Sequence, residues 1–193
     1  MTDAISSRSH PSAAMTQPLF TLRPVDPSDL PAITAIYAEA VQTGTASFEL
    51  TPPDLEEMRR RHAALVTGGH PYLVAASPKG AVLGYAYAGP YRPRPAYRWT
   101  VEDSIYLAAA ARGLGLGRAL LGALIEAATA AGFRQMVAVI GDSGNQASIA
   151  LHRAAGFHPV GTFAAVGWKH GRWLDSVLMQ RPLGNGAETP PAG

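Results

Sequence analysis

The 193-residue chain contains no cysteine, which excludes disulfide staples, thiolate nucleophiles and thiolate metal sites and suits a cytoplasmic setting. No apolar run reaches the length of a membrane-spanning helix. The formal net charge is only +2, and no Lys/Arg run accompanies it, so neither a bilayer nor nucleic acid is indicated as a partner. The six histidines are scattered without a helical His-x-x-x-His pair, and no metal site is expected. Met1 to Pro18 is rich in Ser, Ala, Thr and Pro but lacks the apolar segment of a secretory signal. It reads as a disordered leader, residues 1–18, ahead of one folded domain, residues 19–183. Residues 184–193 have the composition of a flexible tail. With 47% hydrophobic and 16% charged residues, the chain is long enough for one well-filled core.

Hydrophobic periodicity orders the elements. Phe20 to Arg23 starts a strand, Pro24 to Pro27 turns, and Ser28 is placed to cap a helix through Leu30, Ile33, Ile36, Tyr37 and Val41. Thr45 to Leu50 is loop or short extended chain. Asp54 to Val66 forms a second helix with Arg59, Arg60 and Arg61 on a solvated face. Pro71 to Ala76 and Ala81 to Ala88 make a hairpin around Pro78-Lys79-Gly80, and Arg98 to Leu107 is a further strand. Gln135 to Ile140 reads as a buried strand, Asn145 to Ala155 as a helix closed by Gly156, and Val160 to Val166 and Leu174 to Gln180 as a final strand pair joined by Lys169-His170-Gly171-Arg172. The sum is an α/β fold, a mixed sheet of about seven strands.

Arg112-Gly113-Leu114-Gly115-Leu116-Gly117 joins the strand ending at Leu107 to a helix with Leu116, Leu120, Leu124 and Ala127 at helical spacing. A small-residue turn feeding a helix N-terminus is a candidate anion cradle, because free N–H groups and the helix dipole favour phosphate. A dinucleotide G-x-G-x-x-G from Gly113 fails at Arg118, and a P-loop fails for want of Lys followed by Ser or Thr. What remains is Arg-x-x-Gly-x-Gly, which resembles the turn that binds the acetyl-coenzyme A pyrophosphate in the GNAT acetyltransferase superfamily. The later Asn145-Gln146-Ala147-Ser148 and Gly156-Phe157 follow that superfamily's order, with His152 where many members carry Tyr.

The segment from Ala88-Gly89-Pro90 through Arg92-Pro93-Arg94-Pro95-Ala96-Tyr97 to Glu102-Asp103-Ser104-Ile105-Tyr106 resembles the phosphinothricin and methionine sulfoximine N-acetyltransferases, and the likeness extends over Phe20 to Leu183. It implies a sheet with a splayed central strand pair, acetyl transfer from acetyl-CoA to the α-amino group of a small amino acid, and a homodimer. By that resemblance Ile105, Tyr106 and Leu107 face the pantetheine arm. Arg112, Gly113, Leu114, Gly115, Leu116, Gly117 and Arg118 hold the pyrophosphate, and Asn145 and Ser148 add side-chain hydrogen bonds.

An amine attacks a thioester only after losing its proton, so a general base is required. Glu102 stands where the subfamily carries its catalytic glutamate; the alternative is a surface glutamate paired with Arg98 or Arg94. His152 either protonates the departing thiolate, assists deprotonation, or simply packs in its helix. Tyr106 is a site hydroxyl or a core aromatic. Asp103 alternates to the other strand face and reads as a bystander. For the acceptor, Arg94 offers a planar fork to an anionic oxygen, Arg92 a second charge, and Phe48 and Tyr97 pocket walls. Lys169, His170 and Trp173 read as structural. A protein- or peptide-directed acetyltransferase and a non-catalytic coenzyme A binding module are the other readings.

Overall fold

The computed structural model describes residues 19–191; the expected leader lies outside the described residues, as do positions 192 and 193. The strands are β1 (Thr21–Pro24), β2 (Tyr72–Ala76), β3 (Val82–Pro90), β4 (Thr100–Leu107), β5 (Gln135–Gly141), β6 (His158–Lys169) and β7 (Arg172–Pro182). The helices are α1 (Leu30–Thr43), α2 (Leu55–Thr67), α3 (Leu116–Ala130) and α4 (Gln146–Ala154). The strands form a single seven-stranded sheet in the order β1-β2-β3-β4-β5-β7-β6. All neighbours pair antiparallel except β4 and β5, which are parallel.

Helices cover both faces. On one, α1 and α2 bury Leu30, Ile33, Tyr37, Val41 and Met58 against Tyr72, Val74 and Tyr85 of the sheet. On the other, Leu116, Leu120, Leu121, Leu124 and Ala128 of α3 pack on Ala86, Ala88, Val101, Met136 and Ala138. The i, i+4 spacing of these leucines is what aims one stripe of α3 at the sheet. The cap of the first helix differs from the sequence expectation: Asp26, not Ser28, accepts the hydrogen bonds, taking both the N–H and the hydroxyl of Ser28. Asp26 and Asp29 form a capping box around a single 3-10 turn, Pro27–Asp29, from which α1 continues. Proline tolerates the first position because that N–H has no helical partner. Asp54 caps α2 as its sequence suggests, accepting from the Glu57 N–H at 2.8 Å.

The parallel β4–β5 ladder is short. It runs from Thr100↔Gln135 to Asp103↔Ala138 and ends there. Beyond that point β4 stays paired with β3 as far as Gly84↔Leu107, while β5 stays paired with β7 as far as Gly141↔Ser176. The two strands therefore part company in the middle of the sheet, as the resemblance implied.

The 44–49 loop closes one side of the opening and is held from several directions. The Ser47 hydroxyl lies 2.9 Å from the Tyr37 hydroxyl, the buried Lys169 ammonium donates to the Ser47 carbonyl at 2.7 Å, and His170 Nε2 donates to the Gly44 carbonyl at 3.2 Å. Burial pushes the Lys169 pKa down, consistent with a structural post. His170 and Gly171 both have positive φ, 52° and 71°, the geometry of a tight turn between paired strands. The tail folds back rather than hanging free over its described part: the Arg134 guanidinium donates to the Thr189 carbonyl and hydroxyl at 2.8 and 2.9 Å.

Gly141 is where β5 meets that loop: a Cβ there would collide with the Thr45 carbonyl and lie 2.9 Å from the Phe48 ring. Gly141→Ala should therefore lower stability by about 1–3 kcal/mol, the cost of overpacking against backbone. Gly122→Ala, in α3 with nothing within 4 Å of the new Cβ, should instead gain about 0.5–1 kcal/mol. Urea unfolding of both variants checks the pair.

Candidate active site

Where β4 and β5 diverge, a cavity of about 870 Å³ opens, lined by Glu102 to Leu107, Ala138 to Gly141, the glycine turn at Arg112, Gly113 and Gly117, and α4 at Asn145, Ser148, Leu151 and His152. With no strand beside them, the backbone groups of Ser104 to Leu107 that point toward β5 are free to pair with an extended ligand. At one end stands the glycine turn. Gly113 and Gly115 have φ of 79° and 78°, left-handed values that a side chain disfavours. Gly115 occupies the N-cap of α3, and the first intrahelical bond runs from the Ala119 N–H to the Gly115 carbonyl. The N–H groups of Leu116, Gly117 and Arg118 consequently have no helical partner, and the α3 dipole adds positive potential. That combination can hold a phosphate.

The expected coenzyme contacts sort by how they can act. The Leu116 side chain is 1% exposed in the core, leaving only its N–H to offer. Leu114 is 54% exposed and shows its side chain to solvent. Arg112 reaches toward Glu39 of α1 at 3.6 Å. The Asn145 Oδ1 caps α4, accepting from the Ser148 N–H at 3.2 Å, which leaves its amide NH2 to offer.

A second cavity of about 390 Å³ lies on the α1–α2 face, walled by Tyr37, Met58, Arg61, Leu65, Tyr72, Tyr85, Tyr87, Gly89 and Pro90. Glu102 and Ser104 line both cavities. Glu102 is half-buried, and burial raises its pKa to about 7, with the Asp103 charge adding to the rise and Arg92 opposing it. A carboxyl so placed exchanges a proton near neutral pH and reaches both spaces.

Asp103 is not a bystander. Strand alternation does turn it away from Glu102, as expected, but the far face of β4 carries α4. There Asp103 Oδ2 lies 2.9 Å from His152 Nε2, with both side chains nearly inaccessible. The other ring nitrogen, Nδ1, is 2.8 Å from the Ser148 carbonyl. His152 thus lines the larger cavity with both nitrogens bound to protein oxygens, a different posture from a ring aimed at the thioester. Tyr106 packs edge-on to Tyr37 at 4.9 Å, and burial pushes its hydroxyl well above the ordinary range.

The substrate-side expectations divide. Neither Arg92, Arg94, Tyr97 nor Phe48 walls the smaller cavity; the loop leaves it at Gly89 and Pro90. Both arginines are exposed, and Arg92 lies over the Tyr91 ring at 5.0 Å. Arg92 is the loop cation whose field reaches Glu102. Phe48 packs against Gly141 and Gly167 instead of walling the smaller cavity. The arginine in the smaller cavity is Arg61, bound to Glu49 and Glu57 at 2.7 Å each. Its side chain is 41% exposed, on the solvated face that the sequence suggested. The Glu57–Arg61 spacing of four residues was legible, but the 49-to-61 contact depends on how the loop folds over α2.

Comparison with known proteins places this geometry among relatives. Residues 33–157 match the model of the acetyltransferase (GNAT) family. The chain is 53% identical to a phosphinothricin N-acetyltransferase of Alcaligenes faecalis, over 96% of this chain and 98% of the relative. It is 48% identical to an L-methionine sulfoximine/L-methionine sulfone acetyltransferase of Pseudomonas paraeruginosa, over 84% and 94%. Among solved structures, a GNAT superfamily phosphinothricin acetyltransferase from Sinorhizobium meliloti in complex with AcCoA superposes with a TM-score of 0.88, at 53% identity, over 90% of this chain and 94% of that one.

The glycine turn generates a direct test. Gly115→Val forces a β-branched residue into a left-handed conformation in open space, costing roughly 1–2 kcal/mol without disturbing the core. Acetyl-CoA should raise the wild-type Tm by mass action and leave that of the variant unmoved. Calorimetric binding of equal strength in both would show that the phosphates sit elsewhere.

Proposed function

Since the chain belongs to the acetyltransferase (GNAT) family and is an acetyl-CoA-dependent N-acetyltransferase, we propose that its acceptor is the free α-amino group of a small amino acid of the phosphinothricin or methionine sulfoximine kind. The observation that carries this reading is the position of Glu102 between two cavities, one backed by an anion cradle and the other smaller and walled by tyrosines. A space of about 390 Å³ walled largely by aromatic side chains is of the size that takes a small molecule.

In the proposed mechanism the thioester lies along the freed edge of β4, and the acceptor enters from the α1–α2 side. Glu102, deprotonated, takes a proton from the acceptor ammonium directly or through one water. The amine nitrogen then attacks the thioester carbonyl carbon; the C–N bond forms, the C–S bond breaks, and coenzyme A leaves as a thiolate that takes up the second amine proton, released as the amide forms. The backbone N–H groups of Leu116, Gly117 and Arg118 and the guanidinium of Arg112 hold the pyrophosphate. Arg92 and Arg94 meet the anionic end of the acceptor at the loop that leaves the smaller cavity, with Tyr97 beside them.

Two further features belong to the same proposal. β6 is a 12-residue edge strand exposed along nearly its whole length, and Val160, Phe163, Val166, Trp168 and Trp173 of the β6–β7 pair are each more than half exposed. An unpaired apolar edge of this length favours a partner, and a second copy of the chain is the partner proposed. The lack of cysteine, together with the absence of any helix among the described residues long and apolar enough to cross a membrane, supports the cytoplasm as the site of action.

Release of free coenzyme A over a panel of amino acids and peptides tests the assignment: small amino acids should turn over, and peptides should not. Glu102→Gln should cut kcat by on the order of 10²-fold or more and abolish the rise in activity through a pH of about 7. The same variant should be more stable than wild type at alkaline pH. The raised pKa means that the folded state keeps a proton the unfolded chain has released, so wild-type stability falls as pH rises through that window. The gain from Gln should approach about 3 kcal/mol above it and vanish below the ordinary glutamate range. Matching pH–rate and pH–stability profiles of the two proteins check both halves.

On the acceptor side, Arg94→Ala should raise acceptor KM by about ten- to a hundred-fold, the loss of a charge-assisted contact, and hardly move acetyl-CoA KM. Arg92→Ala should also shift the acidic limb of the rate profile upward, because Arg92 is the cation that holds the Glu102 pKa down. Steady-state kinetics of both variants across pH separate the two roles.

A further inference from the structure

The Asp103–His152 pair has a property that follows from the chemistry of its partners. The Ser148 carbonyl can only accept, so at 2.8 Å from it His152 Nδ1 carries a proton. Nε2 faces Asp103 Oδ2 at 2.9 Å. That contact closes in one of two ways: Nε2–H donates to a carboxylate, which makes the ring an imidazolium, or a protonated Asp103 donates to a bare nitrogen. Asp103 and His152 are 7% and 4% exposed, and Asp103 Oδ1 is buried without a protein partner. The pair nonetheless borders the larger cavity.

We infer that Asp103 is a positioning residue that holds His152 as a fixed imidazolium in the wall of the coenzyme cavity. The inference rests on the reading of that cavity as the acetyl-CoA site. A buried carboxylate is tolerated when a cation is hydrogen-bonded to it, and the ring is the cation facing Asp103 among the described residues. The remaining surroundings of the ring are the Ser148 hydroxyl at 3.4 Å and the Phe157 ring at 5.0 Å, neither charged. Glu102 adjoins Asp103 on the strand but faces the opposite side. Burial works against the imidazolium, and the Asp103 hydrogen bond and charge overcome it, raising the His152 pKa.

The consequence is a division of labour. With both ring protons committed to protein acceptors, His152 does not shuttle protons. Its fixed positive charge borders the cavity in which, on the proposed reading, negative charge builds as the thiolate departs, while Glu102 takes the amine proton. Preorganised charge of this kind acts without reorganisation at the moment of reaction.

Long-range ¹H–¹⁵N spectra of the ¹⁵N-labelled full chain test this without relying on activity. In the wild type both His152 nitrogens should be protonated at about pH 7.5, roughly a unit above the ordinary histidine pKa, with or without acetyl-CoA. In Asp103→Asn one nitrogen should lose its proton by that pH, and kcat should fall on the order of tenfold with acceptor KM within about twofold. A wild-type ring with bare Nε2 at about pH 7.5 overturns the inference, whatever the variant does. A charged wild-type ring together with unchanged kcat in a folded Asp103→Asn whose ring has become neutral overturns the catalytic role of the charge. Failure of acetyl-CoA to bind the wild type would sink the reading of the cavity but leave the protonation of His152 to be read from the same spectra.

Discussion

Everything in the site depends on the hydrogen-bond ladder between β4 and β5 stopping at Asp103↔Ala138. Had the parallel pairing continued to Leu107, the backbone groups that now face a cavity would be satisfied by a neighbouring strand, and no ligand could lie between the two. The strands stay ordered after they part because each retains its outer partner, β3 for one and β7 for the other. The gap is thus built into the strand pairing. Its mouth is set by the 44–49 loop, which Tyr37, Lys169 and His170 tie down from both sides.

The same break decides the electrostatics. Glu102 and Asp103 are the last residues of β4 paired with β5 and look out on opposite faces of the sheet. One carboxyl is pushed up toward neutrality by burial and by its neighbour's charge; the other is held against a histidine. Two adjacent acids in a half-buried strand would be hard to tolerate if both were unpaired anions. Placing one against an imidazole and leaving the other able to keep its proton resolves that conflict, at some cost in stability near and above neutral pH. The fold meets that cost through two well-filled apolar layers on either side of the sheet.

How far the sequence could be read differs from element to element, for physical reasons. The glycine turn and the leucine stripe of α3 are local patterns, and each stands in the structure where its spacing placed it. Glu102 was found by motif, and its half-buried position follows from strand alternation. The misread residues answer to contacts distant in sequence. Asp103 was dismissed because alternation says which way a side chain points, not what waits on the other side; His152 lies 49 positions away. Arg61 is exposed as its helix face suggested, but its tie to Glu49 exists only because the loop folds over α2. Phe48 was expected in a pocket wall, yet two glycines from separate strands leave the space that receives its ring.

The central claim is that Glu102 joins a coenzyme cavity to an acceptor cavity across β4. A crystal structure with coenzyme A and a non-reacting amino-acid acceptor analogue tests it most directly. The account predicts the pyrophosphate on the N–H groups of Leu116 to Arg118, the pantetheine along Ser104 to Leu107, and the acceptor amine in the Tyr72–Tyr87 cavity within hydrogen-bond reach of Glu102 or one water away. An acceptor bound outside that cavity, with its amine out of reach of Glu102, would contradict it.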